Sequence, residues 1–255
     1  MKNTYLKIKK IIITKSFKLA VAMMGNEDSQ NLVLLLPGRL DTKDYANFDS
    51  HLEYLAEKGF LAVSFDPPGT WESPGDIGLY TTSNYIKAVN ELIEYFGNRP
   101  TLLFGHSRGG AVAIFAAQNQ NVIGVIAAMP NLGTPVPPDP ESIKSGIKIS
   151  HRDMPPGAER TKEQKEFCLP IAYFEDGEQY NAAIAIQDLK KPKMIIFGSK
   201  DELLDPKTTA ENAQKAPEPK IVKELDSPHS YRRQPEIIIE VNELIGEFIS
   251  KFFSK

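Results

Sequence analysis

Short apolar runs alternate along most of this chain with segments in which apolar residues recur at helical spacing. Five of these runs fall at residues 31–37, 60–65, 101–104, 122–127 and 193–197, and residues 220–224 form a sixth predicted strand that is less apolar. Most consist almost entirely of apolar residues, which is typical of strands buried on both faces. The helical segments fall at residues 45–58, 84–96, 108–118, 207–215 and 235–253. Because parallel strands need crossover helices, the alternation predicts a mostly parallel, doubly wound α/β sheet with helices on both faces.

Two departures from this alternation complete the predicted architecture. Residues 7–14 and 17–24 are typical of an antiparallel hairpin at one edge, which brings the predicted sheet to about eight strands. Residues 129–188 are rich in proline and charge, and we expect them to form a long irregular insertion that acts as a small lid. The chain as a whole, residues 1–255, is predicted to be a single domain.

Composition narrows the class of protein. The net charge is −3, from 30 basic and 33 acidic residues without a block of like charge, which argues against a nucleic-acid partner. Residues 1–18 interleave lysines with short apolar runs, unlike a secretory signal, and Cys168 is the single cysteine. No apolar run approaches the roughly 20 residues of a transmembrane helix. We therefore expect a cytoplasmic protein that acts on a small molecule.

Residues 105–109 read Gly-His-Ser-Arg-Gly, between the apolar run at 101–104 and the helical segment at 108–118. A serine on a sharp turn from strand to helix presents its hydroxyl at the edge of the sheet, and glycines on both sides prevent collisions within the turn. The spacing and its context predict that Ser107 is a nucleophile. The alternative is a glycine-bounded turn without chemistry.

A serine hydroxyl needs a base, and the chain has four histidines, His51, His106, His151 and His229. His229 follows the last predicted strand, at the carboxyl edge of the sheet where catalytic groups converge. It is the predicted base, whereas His51 is interpreted as a surface or interface residue. His106 is expected to pack beside the serine, and His151 to lie in the insertion.

The imidazole needs a carboxylate that fixes its tautomer. Asp201 follows the predicted strand at 193–197. The three residues then occur along the chain in the order Ser, Asp, His, which is the order expected when the nucleophile lies on such a strand-turn-helix. Glu202 and Asp205 are nearby rivals, and Asp205 precedes Pro206, where capping of a helix is the simpler interpretation.

Two backbone amides are predicted to stabilise an oxyanion, those of Arg39 and Arg108. Arg39 follows Gly38 after the first central strand, and the amide of Leu40 is an alternative donor. The sequence leaves open whether the two arginine side chains bind a carboxylate or phosphate of the substrate or pair with local acids.

These landmarks resemble the α/β-hydrolase superfamily over nearly the whole chain. Residues 66–71, Asp-Pro-Pro-Gly-Thr-Trp, stand where many relatives have Asp-x-Arg-Gly-x-Gly, and Pro37-Gly38 stands where relatives usually have His-Gly. Among subgroups, the chain is most similar to small intracellular esterases, monoacylglycerol-lipase-like enzymes and serine aminopeptidases. The resemblance implies the α/β-hydrolase fold and a serine hydrolase that needs no metal or organic cofactor.

We therefore expect cleavage of a carboxylic ester of a small acyl substrate through a covalent acyl-enzyme. Leu40, His106 and Trp71 are the predicted substrate-binding residues, and aromatic residues of the insertion are candidates for the acyl pocket. An acyl thioesterase, a short-peptide serine peptidase and an inactive binding protein that kept the fold remain alternatives. The sequence also leaves a homodimer open.

Overall fold

The predicted strands form one sheet, seen in a computed structural model that describes residues 5–135 and 137–253. Its elements are β1 (Ile8–Ile13), β2 (Lys18–Met24), β3 (Leu32–Leu36), β4 (Leu61–Phe65), β5 (Thr101–His106), β6 (Val122–Ala128), β9 (Lys193–Gly198) and β10 (Lys220–Leu225). Within the described residues these eight strands lie in the order β1-β2-β4-β3-β5-β6-β9-β10. The first two pair antiparallel and the other six run parallel. The predicted mostly parallel sheet with an antiparallel edge hairpin is confirmed.

The central strands are buried on both faces, as their apolar composition predicts. Every residue of β3, β4, β5 and β9 is buried. Alternate side chains of β3 enter different cores: Leu32, Leu34 and Leu36 belong to one hydrophobic cluster, and Val33 and Leu35 belong to the other. A sheet filled on both sides holds the ends of its strands in fixed positions.

The helices cover the two faces of this sheet. The five that alternate with its strands or follow them are α1 (Ala46–Glu57), α2 (Thr82–Tyr95), α3 (Arg108–Ala116), α7 (Pro206–Gln214) and α8 (Pro235–Phe252). Side chains of α1 and α8 fill one core, and those of α2, α3 and α7 fill the other. No helix in the described part of the chain is long and apolar enough to span a membrane.

The segment between β6 and β9 contains regular structure, so the expectation of an irregular insertion is wrong. It holds α4 (Pro140–Ser145), an antiparallel pair β7 (Ile147–Asp153) and β8 (Gln164–Pro170), α5 (Ala172–Glu178) and α6 (Ala182–Asp188). Only two of the seven residues in each strand are buried, and polar and charged residues interrupt the apolar ones, which hides both strands from a search for apolar runs. Val136 of the predicted lid, and residues 1–4 and 254–255 of the predicted domain and amino-terminal segment, lie outside the described residues.

A buried lysine joins the loop after β3 to the loop after β4. The side chain of Lys43 is 1% exposed, and its Nζ contacts Asp44 (2.7 Å), Asp66 (3.2 Å) and Glu72. Asp66 is fully buried and also accepts hydrogen bonds from Thr42 Oγ1 and the Lys43 amide. Burial opposes the charge of Lys43, but the surrounding carboxylates outweigh it and raise its pKa. This cluster fixes the loop that carries Arg39.

Removing the buried cation is expected to destabilise the fold. In Lys43→Met the carboxylate of Asp66 stays buried without its partner, which costs about 3–5 kcal/mol of unfolding free energy. Lys9→Met is the control, since Lys9 also pairs with Asp44 but is 50% exposed, and exposed pairs contribute less than about 1 kcal/mol. Urea unfolding followed by circular dichroism measures both, and equal losses would contradict the role assigned to Lys43.

Candidate active site

Ser107 lies on the predicted turn between β5 and α3. Its backbone has φ 53° and ψ −119°, a conformation that residues with a side chain rarely adopt, and its amide donates to Ala128 O at 2.8 Å. A Cβ atom added to Gly105 would lie 2.2 Å from Gly109 O, and one added to Gly109 would lie 2.0 Å from Leu36 O. The two glycines therefore allow the strand and the helix to approach closely enough to form this turn.

The imidazole of His229 lies between the serine and a carboxylate. Its Nε2 is 2.8 Å from Ser107 Oγ, and its Nδ1 is 2.7 Å from Asp201 Oδ2. His229 follows β10 and is 5% exposed. Its backbone amide donates to Glu202 Oε2 at 3.1 Å. The structure thus brings together the three residues that the sequence predicts to form a triad.

Asp201 is held in the ionised form beside this imidazole. Its other oxygen, Oδ1, accepts from the amides of Leu203 (2.9 Å) and Leu204 (2.8 Å). Burial raises the pKa of Asp201, but the hydrogen bond and charge of His229 and the two amides outweigh burial, so the pKa lies below its ordinary value. An ionised Asp201 accepts a hydrogen bond from the Nδ1–H group of His229, which leaves the Nε2 lone pair free to accept a hydrogen bond from the serine hydroxyl.

The two rivals of Asp201 have other structural roles. Asp205 Oδ2 accepts from the amide of Thr208 at 2.9 Å and caps the first turn of α7, as its position before proline predicts. Glu202 accepts from the backbone of His229 and contacts the loop rather than the imidazole. Asp201 is therefore the carboxylate that orients the ring.

The backbone amides of Arg39 and Arg108, which are predicted to form an oxyanion hole, differ from the Leu40 amide in their hydrogen bonding. In residues 5–135 and 137–253, neither the Arg39 amide nor the Arg108 amide donates a hydrogen bond to a protein group. The Leu40 amide donates to Tyr80 Oη at 3.0 Å, so it is not available as the alternative donor. The Arg108 amide begins α3 directly after Ser107, where the helix dipole favours negative charge.

A cavity of about 570 Å³ opens onto Ser107 and His229. Apolar and aromatic side chains form one part of its lining: Ala111, Val112, Phe115, Tyr173, Phe174, Tyr180, Ala182, Leu203 and Leu204. His106 also lines the cavity, and its Nε2 lies 2.9 Å from the carbonyl oxygen of His229. That hydrogen bond ties the loop of His229 to the turn that carries Ser107.

Two of the three predicted substrate-binding residues lie elsewhere. Leu40 is fully buried, and Trp71 donates from Nε1 to the carbonyl of Leu40 at 2.8 Å while its ring packs against Phe167 at 5.5 Å. Neither lines the cavity that contains Ser107. Both side chains instead pack the loops after β3 and β4, so the structure does not bring Leu40 and Trp71 to this cavity.

The cavity wall contains a group of charged side chains that the sequence does not predict to lie there. Arg152, Arg232, Arg233, Asp41 and Asp153 all line it. The adjacent arginines that follow His229 were a visible signal, because residues next to a predicted catalytic loop lie close to the same site. Arg152 carried no comparable signal, since it reaches the cavity through the unpredicted strand β7.

Because the strand and the helix approach each other closely at this turn, adding a single methyl group there should strongly destabilise the fold. In Gly109→Ala the new Cβ collides with the backbone of Leu36, and we expect a loss of about 3 kcal/mol in unfolding free energy. Gly177→Ala is the control, because its Cβ would meet its nearest atom at 3.9 Å and a helical alanine is favoured by about 0.5–1 kcal/mol. Chemical denaturation measures both, and a neutral Gly109→Ala would refute the requirement.

The comparisons with known proteins agree with this architecture. The family model described as alpha/beta hydrolase fold matches residues 31–151. The mitochondrial palmitoyl-protein thioesterase ABHD10 of Mus musculus is 22% identical over 177 residues, which are 68% of this chain and 59% of that relative. The chain thus spans less than two thirds of the length of this curated relative.

Solved structures of low sequence identity share the fold over nearly the full chain. A monoacylglycerol lipase of Paleococcus ferrophilus superimposes with a TM-score of 0.72 at 21% identity, covering 92% of this chain and 99% of that structure. Est1E of Butyrivibrio proteoclasticus, solved with ferulic acid, gives 0.74 at 17% identity, covering 96% and 100%. With its eight-stranded sheet and a family model matched over residues 31–151, the chain has the α/β-hydrolase fold.

Proposed function

We propose that this chain is a serine hydrolase that cleaves a carboxylic ester, with Ser107 as nucleophile, His229 as general base and Asp201 as the orienting carboxylate. The observation that carries the proposal is the continuous hydrogen-bonded path from Ser107 Oγ through the imidazole to Asp201, with steps of 2.8 and 2.7 Å. These distances lie within the range that proton transfer requires. The path ends in a cavity large enough for a small substrate.

The reaction follows from the order of these contacts. His229 Nε2 accepts the serine proton as Oγ attacks the acyl carbon, and Asp201 stabilises the resulting imidazolium. The amides of Arg39 and Arg108 donate to the oxyanion of the tetrahedral intermediate. The leaving alcohol then takes the proton from His229, and water repeats the sequence to release the acid.

The lining of the cavity supports an acyl group on the substrate. Phe115 and Tyr180 meet edge to face at 5.1 Å and, with Val112 and Phe174, offer apolar surface near Ser107. Burial of each methylene against such a surface contributes about 0.8 kcal/mol. A hydrocarbon acyl chain therefore fits this part of the cavity.

A thioester is the second candidate bond, because the mouse relative is named a palmitoyl-protein thioesterase. The same serine chemistry cleaves esters, thioesters and activated amides, so the choice depends on the leaving group and not on the three catalytic residues. A short-peptide amide is the more demanding substrate, since its amine leaves only when protonated.

Replacing the nucleophile should abolish turnover. We expect Ser107→Ala to lower kcat by a factor of about 10³ or more on 4-nitrophenyl butyrate and on a butyryl thioester. An aminoacyl amide in the same assay tests the peptidase alternative. Ser145→Ala, an exposed serine in the insertion, is the matched control and should retain the rate of the unmodified protein.

Rates are measured spectrophotometrically, with circular dichroism to verify folding. Undiminished hydrolysis by Ser107→Ala would contradict the assignment of the nucleophile. An inactive binding protein, the remaining alternative, would hydrolyse none of the three substrates in either form.

A further inference from the structure

The wall of the cavity carries more positive charge than the chain as a whole. Arg39, Arg108, Arg152, Arg232 and Arg233 line it, whereas its carboxylates are those of Asp41 and Asp153 in the described part of the chain. The chain itself has a net charge of −3. A locally cationic cavity in an acidic protein concentrates anions from solution.

Four of the five arginines form one group, here called the arginine cluster: Arg39, Arg152, Arg232 and Arg233. Arg152 Nε donates to the carbonyl of Arg39 at 2.9 Å, and Arg232 Nη2 lies 3.0 Å from Asp153 Oδ2. Arg233 contacts the same carboxylate oxygen. Arg108 stands apart, with its guanidinium 4.9 and 4.3 Å from the ring centres of Tyr80 and Tyr173.

The two carboxylates of the cavity do not neutralise the cluster. Asp153 is shared by Arg232 and Arg233, and Asp41 lies 3.7 Å from Arg152 and 3.4 Å from His106. Burial raises the pKa of Asp41, but the neighbouring imidazole of His106, with Arg232 and Arg152, lowers it to about 2. Even with both carboxylates ionised, four guanidinium groups leave two positive charges in excess.

Some donors of the cluster have no acceptor in the protein. Arg233 Nε is buried and has no hydrogen-bond partner among the described residues. The exposed side chain of Arg39 forms no ion pair in residues 5–135 and 137–253. A buried guanidinium donor without an acceptor is costly, and the planar fork of arginine matches a carboxylate or a phosphate.

The cluster lies beside the proposed nucleophile. Gly38 lies between Ser107 and the carboxylate of Asp41, which faces Arg152: a Cβ atom added to Gly38 would be 2.6 Å from Asp41 Oδ2 and 3.3 Å from Ser107 Cβ. Asp41 is therefore close to the serine. The cluster and Ser107 also line the same cavity, so one substrate molecule can place an anionic group at the cluster and its acyl carbon at Ser107.

We propose that the substrate carries an anionic group, a carboxylate or a phosphate, that Arg39, Arg152 and Arg233 bind while Ser107 attacks its acyl carbon. The inference deepens the proposed function and rests on it for the attack by Ser107. The anion has two sources: a carboxylate on the acyl group, or phosphates on the leaving group.

Matched substrate pairs separate these sources. For the acyl group, mono(4-nitrophenyl) glutarate is compared with its neutral methyl ester. For the leaving group, butyryl-coenzyme A is compared with the neutral butyryl thioester of N-acetylcysteamine. In at least one pair, kcat/KM should be about 10- to 100-fold higher for the anionic member, as a charge-assisted hydrogen bond predicts.

Three variants test the residues. Arg39→Gln, which keeps the backbone amide, and Arg233→Gln should each remove about 10-fold or more from kcat/KM of the preferred anionic substrate. In both variants the ratio of kcat/KM for the anionic member to kcat/KM for the neutral member should fall by about the same factor. Arg160→Gln removes the same charge from an exposed position in the insertion and should leave both rates unchanged.

Binding without turnover separates this inference from the proposed function. Calorimetry of glutarate and of coenzyme A with Ser107→Ala should show binding that Arg233→Gln in the same background weakens about 10-fold or more. Absence of binding for both ligands, or equal losses on neutral and anionic substrates, would overturn the anion site. Retained binding in a protein that hydrolyses none of the substrates would overturn only the proposed function.

Discussion

The imidazole of His229 joins the serine hydroxyl to a buried carboxylate, and the rest of the site is arranged around this contact. Its two partners lie 122 and 28 positions away along the chain. They meet because β5, β9 and β10 are parallel and end at the same edge of the sheet. A shift of any of these strands by one residue would turn its side chains to the opposite face and separate Ser107, His229 and Asp201. The buried side chains on both faces of the sheet disfavour such a shift.

The loops around this contact are held by buried polar groups. Lys43 ties Asp66 to the segment after β3, while Tyr80 and Tyr85 donate to backbone groups near Gly38. His106 connects the serine turn to the carbonyl of His229. Polar groups that the fold already holds in place need little reorganisation when charge develops on a substrate. This preorganisation is a large part of electrostatic catalysis.

Residues next to strand ends could be predicted from the sequence, and those that depend on distant packing could not. Ser107, Asp201 and His229 each follow a strand that the sequence predicts, and parallel strands bring these residues to the same edge of the sheet. His51, interpreted from the sequence as a surface or interface residue, is fully buried against Tyr231, because its partners come from the far end of the chain. The arginine cluster likewise assembles from three separate segments, so local sequence patterns do not predict its contacts.

We propose that Asp201 and His229 make Ser107 nucleophilic. A fluorophosphonate probe, followed by peptide mass spectrometry, tests it most directly because the probe reacts with an activated serine whatever the natural substrate. We expect one adduct, on Ser107, formed more slowly by a factor of about 10³–10⁴ in Asp201→Asn, where the wrong tautomer is favoured. Glu202→Gln should label at the unmodified rate. Labelling at another residue, or an unchanged rate in Asp201→Asn, would contradict the account.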